Sequence, residues 1–143
     1  MKFIRYMDDG DHGKVTIDSI YKEVYFQDHA ATAGLAPHII QISEYSDGVA
    51  LFMEPLYNTL QEAIVANPKI RVKDIITEKI RELAEIGIVH NDLHGGNLMN
   101  TKADPNKWYF IDFGSASTLS NMTVQNAVDF SVSQFYSISD IIY

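Results

Sequence analysis

The distribution of apolar residues along the chain predicts three main helices. The clearest apolar stripe runs through residues 72–86 at helical spacing, and Gly87 follows where a C-terminal cap is expected. An earlier helix is predicted to begin after Thr16, a suitable N-cap, and to end before residue 34. A third helix is predicted within residues 122–143, where apolar residues recur every four positions.

Short apolar or alternating segments between these helices predict strands. Residues 2–7 form one candidate strand, and residues 38–42 and 49–54 form two more that are joined by a tight turn. Residues 108–111 are typical of a further strand, and Thr59 opens a short helix with a capping box. This order of elements predicts an α+β fold, with a small sheet-bearing part followed by a mainly helical part.

Composition narrows the class of protein. The 143 residues are 46% hydrophobic and include no cysteine, so the chain is expected to fold without disulfides or thiolate metal sites. The formal net charge of −8 disfavours binding to nucleic acid or to an anionic membrane, because both require a basic face. The apolar runs are too short to span a membrane, and the N-terminal residues lack the apolar core of a signal peptide. We therefore expect a cytoplasmic or other intracellular location.

Two polar clusters carry the candidate chemistry. The first comprises residues 90–97 (His-Asn-Asp-Leu-His-Gly-Gly-Asn), and the second comprises residues 111–114 (Ile-Asp-Phe-Gly) at the end of a predicted strand. Phosphoryl transfer from ATP needs a carboxylate that orients the attacking hydroxyl, and further oxygen ligands that hold Mg²⁺. Asp92 can supply the first function, and Asn97 and Asp112 can supply the second. Both clusters therefore fit a magnesium-dependent phosphotransferase.

Simpler interpretations of these residues also exist. Asp and Asn beside glycine often cap loops, so Asp92, Asn97 and Asp112 could each be structural, although their joint spacing favours a shared function. His90 and His94 stand four residues apart, as zinc ligands on a helix do. The two glycines that follow His94 make a helix improbable there, and we reject a zinc site.

At these residues the sequence resembles the protein-kinase-like superfamily. His90-x-Asp92 followed by Asn97 is similar to its catalytic loop, and Asp112-Phe113-Gly114 matches its metal-binding triplet. The resemblance implies ATP and Mg²⁺ as cofactors, Asp92 as the catalytic base, and His90 as a residue that braces the loop. It also implies Asn97 and Asp112 as magnesium ligands.

The resemblance extends upstream to a lysine and a glutamate. Glu23, on the first predicted helix, lies where the family keeps the glutamate that pairs with the phosphate-binding lysine. Lys2 is the lysine with a suitable strand context, so it is expected to bind the phosphates and to contribute to catalysis. The alternative is that Glu23 lies on a solvated helix face and that Lys2 is frayed at the N-terminus.

Residues 49–56 resemble the strand that enters the hinge between the two lobes of a kinase. By that resemblance Met53 is the gatekeeper, and the backbone of Glu54 and Leu56 would contact adenine. Met99 would form the floor of the purine site. These four residues complete the nucleotide-binding set that the resemblance implies.

The implied architecture is a single kinase-like domain over residues 1–143. A reduced N-lobe with the hinge would occupy residues 1–56, and a reduced C-lobe residues 57–143, where Asp129 resembles the helix-borne aspartate that anchors the catalytic loop. The chain departs from the family pattern because it contains no glycine-rich loop and no Ala-Pro-Glu element. Asn91 also replaces the usual arginine. One hypothesis is therefore that a partner protein or self-association completes the N-lobe.

His94 bears on the class of substrate. It stands where protein kinases keep a lysine, and the pattern His90-x-Asp92-x-His94-x-x-Asn97 resembles aminoglycoside and choline phosphotransferases and atypical kinases of the RIO class. His94 joins Asp92 and Lys2 as a candidate catalytic residue. The leading hypothesis is a minimal serine/threonine kinase with a protein substrate. The alternatives are a small-molecule kinase and a pseudokinase that binds partners.

Overall fold

The computed structural model describes residues 1–9 and 13–138. Its strands are β1 (Lys2–Arg5), β2 (Met7–Asp9), β3 (Gly13–Val15), β4 (Ile39–Tyr45), β5 (Gly48–Met53), β6 (Ile88–Val89), β7 (Leu98–Asn100), β8 (Trp108–Phe110) and β9 (Ser117–Thr118). Its helices are α1 (Ile17–Thr32), α2 (Leu60–Ala66), α3 (Val72–Glu85) and α4 (Val124–Ile138). This mixture of helices and small sheets confirms the predicted α+β class.

A three-stranded antiparallel sheet in the order β1-β5-β4 contains the three strands predicted before residue 56. In its register Lys2 pairs with Leu51 and Arg5 with Gly48. Glycine is required at position 48, because a Cβ there would collide with the carbonyl oxygen of Ile4. The sheet thus fixes Lys2 next to the end of β5, where the predicted hinge begins.

Three two-stranded pairs complete the β structure of the described residues: β2 with β3, β6 with β9, and β7 with β8. The segment that follows β1 forms the first pair, and residues 10–12 between its two strands lie outside the described residues. The predicted strand at residues 108–111 is confirmed as β8. The pair of β6 and β9 was not predicted, because strands of two residues are too short to show a periodicity.

Helix α1 links the sheet to the helical part of the fold. It begins at the predicted Thr16 N-cap. Near its start, Ile20 packs in a small core with residues of β5, whereas Phe26 and Ala30 further along belong to the main core. The middle of α1, where Glu23 lies, is thereby held between two separate apolar clusters.

The main core lies among α1, α3, α4 and the short strands. The apolar stripe of α3 is buried as predicted, and Gly87 has the left-handed φ of 87° expected of a helix cap. Helix α4 occupies part of the predicted third helix, and residues 139–143 lie outside the described residues. Across residues 1–9 and 13–138, the structure contains no helix with the length and apolar character that a membrane crossing requires.

Candidate active site

A cavity of about 340 Å³ brings together residues from β1, α1, the end of β5 and the segments next to β7 and β8. The residues that line it are Met1, Lys2, Gln27, Met53, Glu54, Pro55, Leu56, Asn97, Ile111 and Asp112. Six of these were predicted to bind nucleotide or metal. Met99, the predicted floor of the purine site, lies in β7 opposite Tyr109 and is not one of the lining residues.

Lys2 connects two carboxylates at one side of the cavity. Its Nζ lies 2.8 Å from Glu23 Oε1 and 3.5 Å from Asp112 Oδ1. The Glu23 side chain is only 6% exposed, whereas those of Lys2 and Asp112 are 36% and 47% exposed. The ammonium group is therefore held by a buried carboxylate on one side and is accessible to a ligand on the other.

Asp112 reaches this position through a sharp turn after β8. Its φ is 60°, a left-handed conformation that costs a non-glycine residue roughly 1–3 kcal/mol. The Gly114 N–H donates to Asp112 Oδ1 at 3.4 Å, and a Cβ at position 114 would come within 3.4 Å of Glu23 Oε1. The turn therefore directs the Asp112 carboxylate toward Lys2, and Gly114 lies against both Asp112 and Glu23.

The fully buried His90 joins the two polar clusters. The Asp92 N–H donates to His90 Nδ1 at 3.2 Å, so the proton of the neutral ring is on Nε2, which donates to the Ile111 carbonyl at 2.8 Å. Burial lowers the pKa of His90 below its usual 6.5, which keeps the ring neutral near physiological pH. His90 thus ties Asp92 to the residue that precedes Asp112.

Asn97 contacts Asp92 through its amide nitrogen. Its Nδ2 donates to the Asp92 carbonyl at 2.9 Å and lies 3.4 Å from the Asp92 carboxylate. Because the nitrogen faces Asp92, the oxygen Oδ1 is on the other branch of the amide, where no described residue donates a hydrogen bond to it. Asn97 therefore positions Asp92 and still has an oxygen available.

The side-chain oxygens of Asn97 and Asp112 fit Mg²⁺ as ligands. Asn97 and Asp112 both line the cavity and provide an amide oxygen and a carboxylate, which are hard ligands of the type that Mg²⁺ prefers. Mg²⁺ is commonly held by one or two protein carboxylates together with substrate phosphates. Among the described residues no three His, Cys, Asp or Glu side chains gather as a metal cage.

Beyond Met53, two residues that line the cavity, Glu54 and Leu56, have backbone polar groups without a partner in the described chain. The Glu54 N–H donates to the His38 carbonyl, and the Glu54 carboxylate accepts the His38 N–H at 2.8 Å. The Glu54 carbonyl and the Leu56 N–H have no hydrogen-bond partner within the described chain. This segment therefore offers an acceptor and a donor two residues apart, which suits the amine and the ring nitrogen N1 of adenine.

A comparison with models of protein families matches residues 35–137 to the ABC1 atypical kinase-like domain. The match covers more than half of the chain. The chain belongs to this family. The prediction of an atypical member of the protein-kinase-like superfamily is thereby confirmed. A search of curated proteins finds no match to the chain.

The segment that matches the ABC1 atypical kinase-like domain contains Asp92, Asn97 and Asp112, whereas Lys2 and Glu23 precede it. The contact between Lys2 and Asp112 spans 110 positions of sequence. The tertiary structure thus joins residues inside the family match to residues outside it.

His94 lies in the loop of residues 90–97, inside the segment that matches the ABC1 atypical kinase-like domain, but it is not one of the residues that line the cavity. Its Nδ1 accepts the Gly96 N–H at 3.0 Å, and a Cβ at position 96 would come within 2.9 Å of the ring. Because Nδ1 is an acceptor, Nε2 carries the proton of the neutral ring. The half-buried ring therefore has an N–H donor on the side opposite Gly96.

The same loop is anchored to α4 by Gln134, and the prediction that Asp129 performs this role is wrong. Gln134 donates to the Asn91 carbonyl at 2.8 Å and accepts the Leu93 N–H at 3.2 Å. Asp129 is exposed and accepts a hydrogen bond from Gln125 on its own helix. Five residues of helix correspond to a rotation of about 140°, so Asp129 lies on a different face from Gln134.

Asn91 is tied into the fold through its own side chain. Its φ is 72°, a left-handed conformation that asparagine tolerates better than most residues. Its Nδ2 donates to the Ser117 hydroxyl at 2.8 Å and to the Ser115 carbonyl at 3.0 Å. A neutral amide in place of arginine thus connects the loop to the segment that follows Gly114.

The sequence prediction missed Gln27, Met1, Pro55 and Ile111 as cavity residues. One signal was available for Gln27, since it follows Glu23 by four positions and therefore shares its face of α1. Ile111 directly precedes Asp112 and was considered only as part of a strand.

Proposed function

We propose that this chain is an ATP- and magnesium-dependent phosphotransferase whose acceptor is a serine or threonine hydroxyl of a protein. The observation that carries the proposal is the Lys2 ammonium, which contacts Glu23 and Asp112 at a cavity that residues of the predicted hinge also line. Because the net charge of the chain is −8, a bound polyphosphate would be repelled unless positive charge were concentrated at its site. Lys2 supplies such a charge at the cavity.

Each residue has a role that its contacts support. Lys2 would bind phosphate oxygens, and Glu23 would hold the ammonium in position. Asn97 and Asp112 would hold Mg²⁺, which when bound supplies charge neutralisation at the phosphates. These assignments place the phosphates at the accessible side of Lys2.

Asp92 is the proposed general base. Asn97 Nδ2 and the bond from the Asp92 N–H to His90 restrict the position of the carboxylate. The carboxylate would orient the attacking hydroxyl and accept its proton as the new P–O bond forms and the bond to the leaving nucleotide breaks. The Nε2–H of His94 would donate to a phosphate oxygen during this step, and so contribute to catalysis.

The proposed architecture is one kinase-like domain with an N-lobe at residues 1–56, a hinge at its end, and a C-lobe at residues 57–143. Its main support is the position of the cavity, whose lining residues come from both segments. The small apolar cluster around β5 lies within the N-lobe segment, whereas the main cluster joins the end of α1 to α3 and α4 and so connects the two segments.

A pseudokinase that binds partners is the second candidate. The observation in its favour is the exposure of the Lys2 and Asp112 side chains, because water that reaches the phosphates weakens their electrostatic stabilisation. A partner protein that covered this side would exclude that water, and the exposure would then no longer favour the pseudokinase over the kinase.

Magnesium-dependent ATP binding and phosphate transfer to protein and small-alcohol acceptors, measured on the purified chain, test the proposal. We expect Asp112→Asn to lose magnesium-dependent binding, and Asp92→Asn to keep binding but lose transfer by about 10²- to 10⁴-fold. Asp28→Asn, a change at an exposed position of α1, is the matched control and should behave as wild type. ATP binding without transfer would favour the pseudokinase, and transfer only to small alcohols would favour the small-molecule kinase. The absence of nucleotide binding would refute both kinase candidates and leave the partner-binding pseudokinase.

A further inference from the structure

We propose that Gln27 recognises the purine base, and that its side-chain oxygen accepts a hydrogen bond from the exocyclic amine of adenine. Gln27 would thereby select adenine nucleotides over purine nucleotides that lack this amine. The inference rests on the proposed function, since it requires a nucleotide in the cavity described above.

Gln27 is a buried polar residue in the wall of the cavity. It is only 3% exposed, and it lines the cavity together with Met53 and Glu54. Its Nε2 donates to the Pro37 carbonyl at 3.0 Å and lies 3.6 Å from Met53 Sδ. Because His38, the neighbour of Pro37, pairs with Glu54, these contacts place Gln27 beside the start of the hinge.

The contact with Pro37 determines which way the amide faces. A carbonyl can only accept, so the nitrogen of Gln27 must be the group that faces Pro37. The oxygen Oε1 is then on the other branch, and no residue of the described chain donates a hydrogen bond to it. Because Gln27 lines the cavity, Oε1 is the group of this amide that can accept a hydrogen bond from a ligand. A largely buried amide thus keeps an open acceptor at a site built for a ligand.

The chemistry of adenine matches two acceptors at this position. The exocyclic amine has two N–H groups, and the unpaired Glu54 carbonyl can accept from one of them. Gln27 Oε1 can accept from the second. Guanine and hypoxanthine carry a carbonyl oxygen in place of the amine. This oxygen would be repelled by the Glu54 carbonyl and by Gln27 Oε1, because all three groups are acceptors.

A purely structural role is the competing interpretation. In that case Gln27 only ties α1 to the Pro37 carbonyl, and its loss would weaken the binding of every nucleotide by the same factor. Base recognition instead requires that the effect depend on the amine. The two interpretations therefore differ in a ratio of affinities and not in an absolute affinity.

The test is a cycle of two nucleotides and four proteins. Affinities for ATP and for purine riboside 5′-triphosphate, which has hydrogen in place of the amine, are measured by calorimetry on wild type, Gln27→Leu, Gln27→Glu and Gln61→Leu. Gln61 is an exposed glutamine of α2 and serves as the matched control. The nucleotide pair cancels changes in stability and in phosphate binding.

We expect the preference of wild type for ATP to fall roughly tenfold in Gln27→Leu, the size of one hydrogen bond whose loss leaves its partner unsatisfied. Gln27→Glu keeps an oxygen acceptor but has no donor for the Pro37 carbonyl, so it should bind both nucleotides more weakly while it retains most of the preference. Gln61→Leu should retain all of the preference. An unchanged preference in folded Gln27→Leu would overturn the inference and leave the structural role.

Two further outcomes keep the inference separate from the proposed function. If Gln27→Leu does not fold, the unbranched Gln27→Met takes its place. Equal affinity of wild type for the two nucleotides would refute base recognition without any variant. If wild type binds neither nucleotide, the proposed function itself fails.

Discussion

The two sides of the candidate site are held in different ways. On the side of residues 90–97, the loop is fastened by the buried His90, by Asn91 and by Gln134, and it rests on the main core. On the side of Lys2, the position depends on a small apolar cluster, one pairing in a three-stranded sheet and the contact with Glu23. The difference indicates that changes on the loop side will reduce stability and activity together, whereas changes on the Lys2 side will act mainly on ligand binding.

The largest effect on stability is expected for His90→Ala. The change removes a buried ring and leaves the Asp92 N–H and the Ile111 carbonyl without their partner, which should lower the free energy of unfolding by about 3 kcal/mol. Urea unfolding of the variant and wild type measures the loss. The exposed His38→Ala provides the control, and an equal loss in both would contradict the bracing role.

A smaller loss separates Gln134 from Asp129. Gln134→Ala should lower the free energy of unfolding by about 1–3 kcal/mol, because the Asn91 carbonyl and the Leu93 N–H lose a side chain that bonds both. Asp129→Ala, at an exposed position of the same helix, should change stability by less than about 0.5 kcal/mol. The reverse order in thermal or urea unfolding would restore Asp129 as the anchor.

On the other side of the site, Glu23→Gln should change binding more than stability. Glutamine keeps a hydrogen-bond acceptor for Lys2 but loses the charge, so we expect stability within about 1 kcal/mol of wild type and ATP affinity reduced about tenfold. Paired unfolding and calorimetric titrations measure both quantities. A large loss of stability with unchanged affinity would mean that the two sides of the site are held alike.

The smallest expected effect is a pH dependence of stability that comes from the buried His90 on the loop side. Burial lowers the pKa of His90 in the folded chain, so the unfolded chain binds the additional proton as pH falls below about 6.5. The stability that the neutral, buried His90 provides is therefore fully present above that pH and is lost progressively below it. The free energy of unfolding of wild type should fall on acidification. Unfolding of His90→Gln between pH 5 and pH 8 is the comparison. A slope as steep as that of wild type would assign the effect to other groups.

The features that could be predicted from this single sequence are local ones. The apolar stripe of α3, the caps at Thr16 and Thr59, and the two polar clusters were all visible, because each depends on spacing within a few residues. The anchor was misplaced by five residues on α4, since nothing local distinguishes Gln134 from Asp129. The roles of Asp92, Asn97, Asp112, Lys2 and Glu23 stay predictions until nucleotide binding is measured.

The sequence by itself therefore determined the α+β class, the helices, and the family resemblance carried by residues 90–97 and 111–114. Only the tertiary structure decided that Lys2 contacts Glu23 and Asp112, and that Gln27 lines the cavity and donates to the Pro37 carbonyl. The physical reason is the range of the interactions. Periodicity and capping act within one or two turns of chain, whereas a pair such as Lys2 and Asp112, 110 residues apart, meets only when both apolar clusters have packed.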